Sequence, residues 1–464
     1  MFSRRTYEKR REVLKNKFEK GVILICGNSL SPTSYLDNAF PFIQDSTFLY
    51  YFGLNKENLM GIIDIDKNDE IIFGDELTID DIIWGGQQLT LNAQCKLVGV
   101  ENNFSYEEAG KYIRDARNAG RDIHYVTQYL PDNILKLSEW LEISPKEVNK
   151  YASEKLGYAV AEQRNIKTPE EIIEIEKAVN VTREMHLKAM EVAKPGMKEY
   201  EVVAEIEKVA KKYNCELSFS TICTINGQIL HNPYHNNILK DGDLLLIDAG
   251  AKLENGYCGD MTTTIPVSGK FTEKQKDMYK LLISMFDKAS ELIKPGVTYK
   301  EVHLEVAKVL AQGMIDRNIL KGNVDEIVEN GVHALFMPHG LGHMMGLDVH
   351  DMENIGEVIV GYNGEEKSKQ FGLASLRLGR ELEEDFVFTV EPGIYFIPEL
   401  IKQWKEEEKF AEYINYDELE KYIDFGGMRY EGDFLVTKTG NRRLGKPMVK
   451  TPEEIEKVRE KAFE

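Results

Sequence analysis

Apolar and polar positions along the chain fall into runs of two different periods. Gly21-Val-Ile-Leu-Ile-Cys26-Gly27 is a continuous apolar run between glycines and predicts a short buried strand. Leu59 to Ile65 and Glu70 to Phe73 are two more apolar runs, joined by Asp66-Lys67-Asn68-Asp69, which predicts a hairpin. Ahead of them, Glu8 to Lys20 mixes basic and acidic residues and reads as a surface helix. From Ile172 the period changes: Ile172, Ile175, Val179 and Thr182 recur at helical spacing until Lys194-Pro195-Gly196 stops the run. Thr168-Pro169-Glu170-Glu171 opens that helix with a capping threonine, a proline at the first helical position and a glutamate that closes a capping box. Thr451-Pro452-Glu453-Glu454 opens a last helix in the same way.

These runs divide the chain near Gln163 to Lys167. Residues 1–162 read as a mixed α/β domain in which no catalytic constellation stands out, and 163–464 as a second, larger domain. Within the second domain, residues 189–209 match 289–309 at an offset of 100, with 10 of the 21 positions identical and Lys-Pro-Gly in both copies. A duplicated helix-turn-helix unit, followed each time by strands, predicts two half-domains facing one another across a shared site.

Composition narrows the function. At 464 residues the chain is too long for one ordinary core of about 150 residues. Its net charge of −20 disfavours nucleic acid and anionic membrane surfaces, and no basic block offsets it. No run approaches the roughly 20 apolar residues of a membrane span, and the charged start has no secretory apolar segment. The five cysteines are scattered without a CxxC, which fits reduced thiols and a cytoplasmic location.

Four carboxylates stand out because they end apolar strands. Leu244-Leu-Leu-Ile-Asp248 and Tyr257-Cys-Gly-Asp260 lie in the first half, Phe386-Val-Phe-Thr-Val-Glu391 and Gly426-Gly-Met-Arg429-Tyr-Glu431 in the second. Burying a carboxylate costs several kcal/mol unless it is paired or binds a metal, so four together point to a metal centre. Seven of the nine histidines lie between 231 and 350, three of them in the glycine-rich tract Met337-Pro-His339-Gly-Leu-Gly-His343-Met-Met-Gly-Leu-Asp348-Val-His350-Asp351. His339 and His343 lack the glutamate of an HExxH helix, and His303 and His333 read as ordinary, partly buried histidines. Four carboxylates and one imidazole form an oxygen-rich set that suits Mn²⁺ and balances two divalent ions, an arrangement used by hydrolases to acidify water.

The spacing poses one difficulty. A two-residue turn at Asn255-Gly256 would pair Asp260 with Ala251, about 10 Å along the strand from Asp248. Bringing the two together therefore requires a β-bulge or irregular turn, expected near Gly250 or Gly259.

Asp248, Asp260, His343, Glu391 and Glu431, in this order and context, resemble the metal ligands of the pita-bread metallopeptidases. Met-Pro-His-Gly-Leu-Gly-His, Leu-Asp-Val-His-Asp and the N-terminal Gln44-Asp45-Ser46-Thr47-Phe48-Leu49-Tyr50 are similar to the proline-specific branch, the Xaa-Pro aminopeptidases and Xaa-Pro dipeptidases. The resemblance implies an α/β two-domain protein with a pita-bread catalytic domain, a duplicated α+β fold of pseudo-two-fold symmetry. It implies two divalent metal ions, Mn²⁺ by expectation: Asp248 on one, His343 and Glu391 on the other, Asp260 and Glu431 bridging. It further implies Glu391 as general base, His350 and His231 steadying the oxyanion or substrate amine, and His339 and Arg429 lining a proline pocket. Arg429 could equally neutralise the acidic cluster. The implied activity is removal of an N-terminal residue that precedes proline. A dipeptidase restricted to Xaa-Pro, with Arg377 capping the pocket, and a silent peptide-binding module are the alternatives. A homodimer with contacts from the N-terminal domain is implied too. Two features depart from the common pattern: Gly432 follows Glu431 where an acidic residue is usual, and an acidic, helix-prone insert, Glu399 to Lys421, separates Glu391 from Glu431.

Overall fold

In the computed structural model, which describes residues 1–35 and 37–464, the run after Gly21 forms the strand Val22–Cys26, buried at all five positions. Contacts group the chain into two units, Met1–Arg164 with Met352–Val360, and Asn165–Asp351 with Gly361–Glu464. In the first, Val22–Cys26 lies in a five-stranded sheet beside Met60–Asp64, which pairs antiparallel with it and with Asp69–Phe73. The predicted hairpin closes with Asp64 opposite Asp69 and Asn68 in the left-handed region (φ 50°), a conformation asparagine tolerates. The sheet's inner face packs Leu24, Ile62 and Ile71 against Ile113 and Leu137 of the covering helices.

The N-terminal helix differs from expectation. It spans Arg4–Lys15, capped by Ser3, and buries Tyr7, Arg10, Arg11 and Leu14. Arg11 is fully enclosed because its donors are used: Nη1 to Tyr51 O (2.8 Å), Nη2 to Val98 O (2.9 Å) and Nε to Glu70 (2.6 Å). A charge pattern reads such arginines as solvated, since their acceptors lie far away in sequence.

The second unit realises the duplication. Thr168 caps the helix Pro169–Val192, accepting from Glu171 N–H while the Glu171 carboxylate accepts from Thr168 N–H, an arrangement worth about 1 kcal/mol. That helix packs on Glu199–Lys212, and its repeat Glu273–Leu292 packs on Tyr299–Asp316. Gly196 and Gly296 turn each pair with positive φ (93° and 86°). Each half adds a three-stranded antiparallel sheet: Thr262–Pro266, Leu244–Asp248 and Ile222–Thr224 in the first, Val387–Val390, Gly432–Thr437 and Gly440–Arg443 in the second. The halves meet where Glu431 N–H donates to Thr262 O (2.9 Å) and Arg429 N–H to Thr264 Oγ1 (3.1 Å). The insert supplies the helix Pro398–Glu406, anchored by buried Ile401 and Trp404. Among the described residues no helix is long and apolar enough to cross a membrane.

The register between Asp248 and Asp260 is set in the turn rather than by an inserted residue. Leu253 N–H donates to Tyr257 O (2.9 Å), so the turn has three residues, Glu254-Asn255-Gly256, with Gly256 at φ 94°. Lys252 faces Cys258 and Asp248 faces Thr262, four residues on along both strands, so no bulge intervenes at Gly250 or Gly259. Asp260 thereby falls opposite Gly250, two residues from Asp248 and on the same face of the ladder. The expected one-residue offset came from assuming a two-residue turn.

Candidate metal centre

All four strand-end carboxylates sit where a ladder is interrupted. In the first half, beyond the Asp248–Thr262 pair the regular strands give way to a looser stretch held by Ala249 N–H to Met261 O and Gly259 N–H to Ala251 O. In the second, Val390 pairs with Gly432 and Gly393 with Arg429, so Glu391 and Glu431 stand opposite one another in the gap. The preceding apolar residues, Leu244–Ile247 and Val387–Val390, are buried and draw the carboxylates into the interior with them.

His343 arrives from the glycine-rich tract. A Cβ at Gly342 would lie 2.0 Å from Thr389 O, so only glycine lets this segment lie against the strand. His343 N–H donates to Thr389 Oγ1 (3.1 Å) and ring Nδ1–H to Met344 O (3.0 Å). Nε2 is left facing Asp260 Oδ2 (3.4 Å) and Glu391 Oε1 (3.8 Å). One donor atom each from Asp260, His343 and Glu431 lie within 4.8 Å of one another.

Arg429 ties the other carboxylate in. Its Nη2 donates to Asp248 Oδ2 (2.5 Å), Nη1 to the Tyr395 hydroxyl (2.7 Å) and Nε to Thr262 Oγ1 (3.0 Å). The Thr262 hydroxyl in turn donates to Glu431 Oε2 (2.6 Å). His339 Nδ1–H donates to Gly340 O (2.8 Å), which leaves Nε2 to accept from the Tyr395 hydroxyl (3.0 Å). Gly432 has a local reason: a Cβ there would meet Arg443 Nε at 2.5 Å, and that guanidinium donates to Glu431 O (3.1 Å).

The electrostatics are those of crowded, desolvated acids. Burial, with Asp260 adding repulsion against the pull of Arg429, pushes Asp248 up to about 6. Burial likewise raises Glu391 to about 7, although His343 and Arg429 oppose it. Burial and neighbouring carboxylates hold Glu431 and Asp433 well above the usual range. Burial pulls His343 down, but the Asp260 hydrogen bond and the charges of Glu391 and Asp260 outweigh it and bring it up to about 9. Burial and Arg429 keep His339 neutral, down at about 3. Oδ1 of Asp248 and Oδ1 of Asp260 are buried with no hydrogen-bond donor. Carboxylate oxygens enclosed without donors, beside an imidazole nitrogen turned toward them, fit divalent cations in chemistry and in charge.

All nine residues singled out above line one cleft of about 690 Å³. The His350 ring stacks on His343 (centroids 3.8 Å apart, 10° between planes), while the wall also carries His231, exposed, and Arg377, half-buried. His303 and His333 lie elsewhere, wholly buried rather than partly. Sequence reasoning missed Thr262, Tyr395, Asp433, Thr389 and His186. Thr262 and Asp433 stand two residues after Asp260 and Glu431, on the same strand faces, so alternation could have found them. Asp433 Oδ2 accepts from Asp260 N–H (3.2 Å). Thr389 likewise stands two residues before Glu391, whereas Tyr395 and His186 are joined to the site only by folding.

The chain is similar to known proteins along nearly its whole length. Residues 174–438 match the model of metallopeptidase family M24, and residues 7–124 that of the aminopeptidase P N-terminal domain. The chain is 31% identical to the Xaa-Pro aminopeptidase of Escherichia coli, over 98% of this chain and 97% of that protein. It is 30% identical to the Xaa-Pro dipeptidase of Rattus norvegicus, over 90% and 85% respectively. Among solved structures, zinc-substituted E. coli aminopeptidase P in complex with product superposes with a TM-score of 0.81 at 31% identity, covering 99% of both chains. Proline aminopeptidase P II of Yersinia pestis gives 0.82 at 29%, covering 99% of this chain and all of that one.

Proposed function

The chain belongs to metallopeptidase family M24, and on that premise we propose how its residues carry out the hydrolysis of peptides that have proline second. It is a metal-dependent Xaa-Pro aminopeptidase with a pita-bread catalytic domain, taken as residues 163–464 behind an N-terminal domain of residues 1–162. Asp248, Asp260, His343, Glu391 and Glu431 would hold two divalent cations. The convergence of Asp260, His343 and Glu431 within 4.8 Å carries this reading, and the donorless oxygens of Asp248 and Asp260 support it. When bound, the ions lower the pKa of water and offset negative charge on the attacked carbonyl. The oxygen-rich donor set favours Mn²⁺.

Around that centre the protein's own groups do the rest. Glu391 takes a proton from the attacking water and returns it to the departing proline nitrogen; burial raises its basicity toward neutrality, where a base is most effective. His350 and His231 face the scissile carbonyl and the free amine. His339, kept neutral by burial and Arg429 and oriented by Tyr395 and Gly340, walls the ring pocket, and Arg429 balances the acidic cluster. A dedicated pocket is needed because proline has no N–H and a fixed φ, which general peptidases do not accommodate.

Arg377 on the cleft wall favours the second reading, a dipeptidase whose arginine reads the free carboxylate. Assay of a dipeptide against a tripeptide, both with proline second and with Mn²⁺ present, decides between them. Turnover of both supports the aminopeptidase; strict dependence on the dipeptide overturns it.

Association as a homodimer through the N-terminal unit is supported by Ile79, Ile83 and Trp84, which are 72%, 68% and 89% exposed on one short helix. A reducing, cytoplasmic setting is supported by five separate, buried thiols.

A further inference from the structure

Between Asp248 and Asp260 the ladder keeps its register through Ala249 N–H to Met261 O (3.1 Å) and Gly259 N–H to Ala251 O (2.9 Å), while side chains from elsewhere take up other backbone groups of the two strands. Two of these side chains come from one face of the helix Pro169–Val192, a turn apart. Thr182 Oγ1 accepts from Ala251 N–H (2.9 Å), and His186 Nε2–H donates to Ala249 O (3.1 Å) while Nδ1 accepts from the Thr263 hydroxyl (2.9 Å). Both residues are fully buried. The bonded peptide groups flank Gly250, which follows Asp248 by two residues and lies opposite Asp260, and Thr263 adjoins the threonine that donates to Glu431. Close approach of helix and hairpin is built in: a Cβ at Gly259 would meet Thr182 Oγ1 at 2.7 Å and Val179 N at 2.8 Å.

Packing alone does not require these polar groups. At the repeat's offset of 100 the other half has Leu282 and Phe286 in place of Thr182 and His186. Phe286 is buried against Tyr430 and Phe434, with ring centroids 4.9 and 5.6 Å away. An aromatic ring thus fills the equivalent space in the half whose hairpin it does not hydrogen-bond.

We propose that His186 and Thr182 are positioning residues, which aim Asp248 and Asp260 at a shared metal pair by fixing the backbone of the hairpin between them. The inference rests on the ligand reading above and deepens it. Partners that orient a ligand typically change metal affinity or activity by about 10–100-fold.

The test uses the full-length protein, freed of metal and titrated with Mn²⁺ by calorimetry, with kcat and KM measured on an Xaa-Pro tripeptide. H186F, which installs the aromatic residue of the other half, is expected to weaken Mn²⁺ binding and lower kcat by about tenfold or more with KM little changed. H186Q, which restores a donor and an acceptor, is expected to recover both to within about threefold. T182V, nearly isosteric, is expected to weaken Mn²⁺ binding as well, and serves should H186F fail to fold. Parental Mn²⁺ affinity and kcat in H186F or, failing that, T182V would overturn the proposal, as would a loss in H186F that H186Q does not recover. D248N separates the two ideas: parental Mn²⁺ binding in D248N sinks the ligand assignment itself, whereas loss in D248N with parental binding in H186F sinks only the positioning role.

Discussion

Arg429 and Asp248 meet at 2.5 Å although they come from opposite halves of the duplicated unit, and both are nearly buried. Among the described residues the guanidinium is the permanently charged group bonded to a carboxylate of this cluster, so its loss leaves desolvated carboxylates uncompensated. R429M is expected to lower thermal stability of the metal-free protein substantially, since breaking a buried pair costs about 3–5 kcal/mol. R429K retains the charge but cannot reach Tyr395, Thr262 and Asp248 together, and should show an intermediate melting temperature. Calorimetric unfolding of the three proteins checks the order.

Thr262 is bonded to both Arg429 and Glu431, accepting from one and donating to the other. T262V keeps the shape and removes the hydroxyl. Weaker Mn²⁺ binding by about 10–100-fold is expected, with the fold intact. Titration of metal-free T262V would refute the point if its affinity equalled that of the parent.

Acid and metal act on the same carboxylates. In the metal-free protein Asp248 (about 6) and Glu391 (about 7) lie above the unfolded values of roughly 4. The folded state therefore holds protons that the unfolded state releases, and this contribution, full below pH 4, is lost as pH rises toward 7. His343, raised to about 9, contributes stability below its unfolded pKa of about 6.5 that is lost as pH climbs through 9. Metal binding needs the ionised carboxylates and neutral imidazole, so its stabilisation should grow over the same range. Melting temperatures with Mn²⁺ and with chelator are expected to diverge between pH 4.5 and 8; a constant gap would count against this account.

Gly259 leaves no room for a side chain against Thr182, Val179 and Ala178. Because two of those contacts are helix backbone, G259A must push the hairpin away from the helix. A loss of about 1–3 kcal/mol is expected from such overpacking, along with weaker metal binding. Denaturant unfolding beside Mn²⁺ titration tests both.

Trp84 is 89% exposed on a helix that buries none of its residues. If that face joins two copies, W84E should yield a monomer at concentrations where the parent is a dimer, as read by light scattering, and leave metal content unchanged. A monomeric parent would refute the dimer.

What the linear order of residues settles here is local or periodic. The capping box at Thr168, the duplicated Lys-Pro-Gly turns, the buried strand at Val22–Cys26 and the isolation of four acids at the ends of apolar runs all follow from neighbours within a few positions, because capping, turn geometry and side-chain alternation act over that range. The same acids point to a metal, since several buried carboxylates need a cation or protons to offset their charge. The turn at Glu254-Asn255-Gly256 shows the limit of such reading. Two- and three-residue turns both suit Asn-Gly, and the choice shifts every pairing beyond it. The buried Arg11, the tyrosine that links Arg429 to His339, and the helix side chains that bond the backbone on either side of Gly250 depend on partners tens to hundreds of positions away. Only tertiary packing brings those groups within hydrogen-bond reach, and around the cleft it is desolvation that turns ordinary acids, imidazoles and hydroxyls into a binding site.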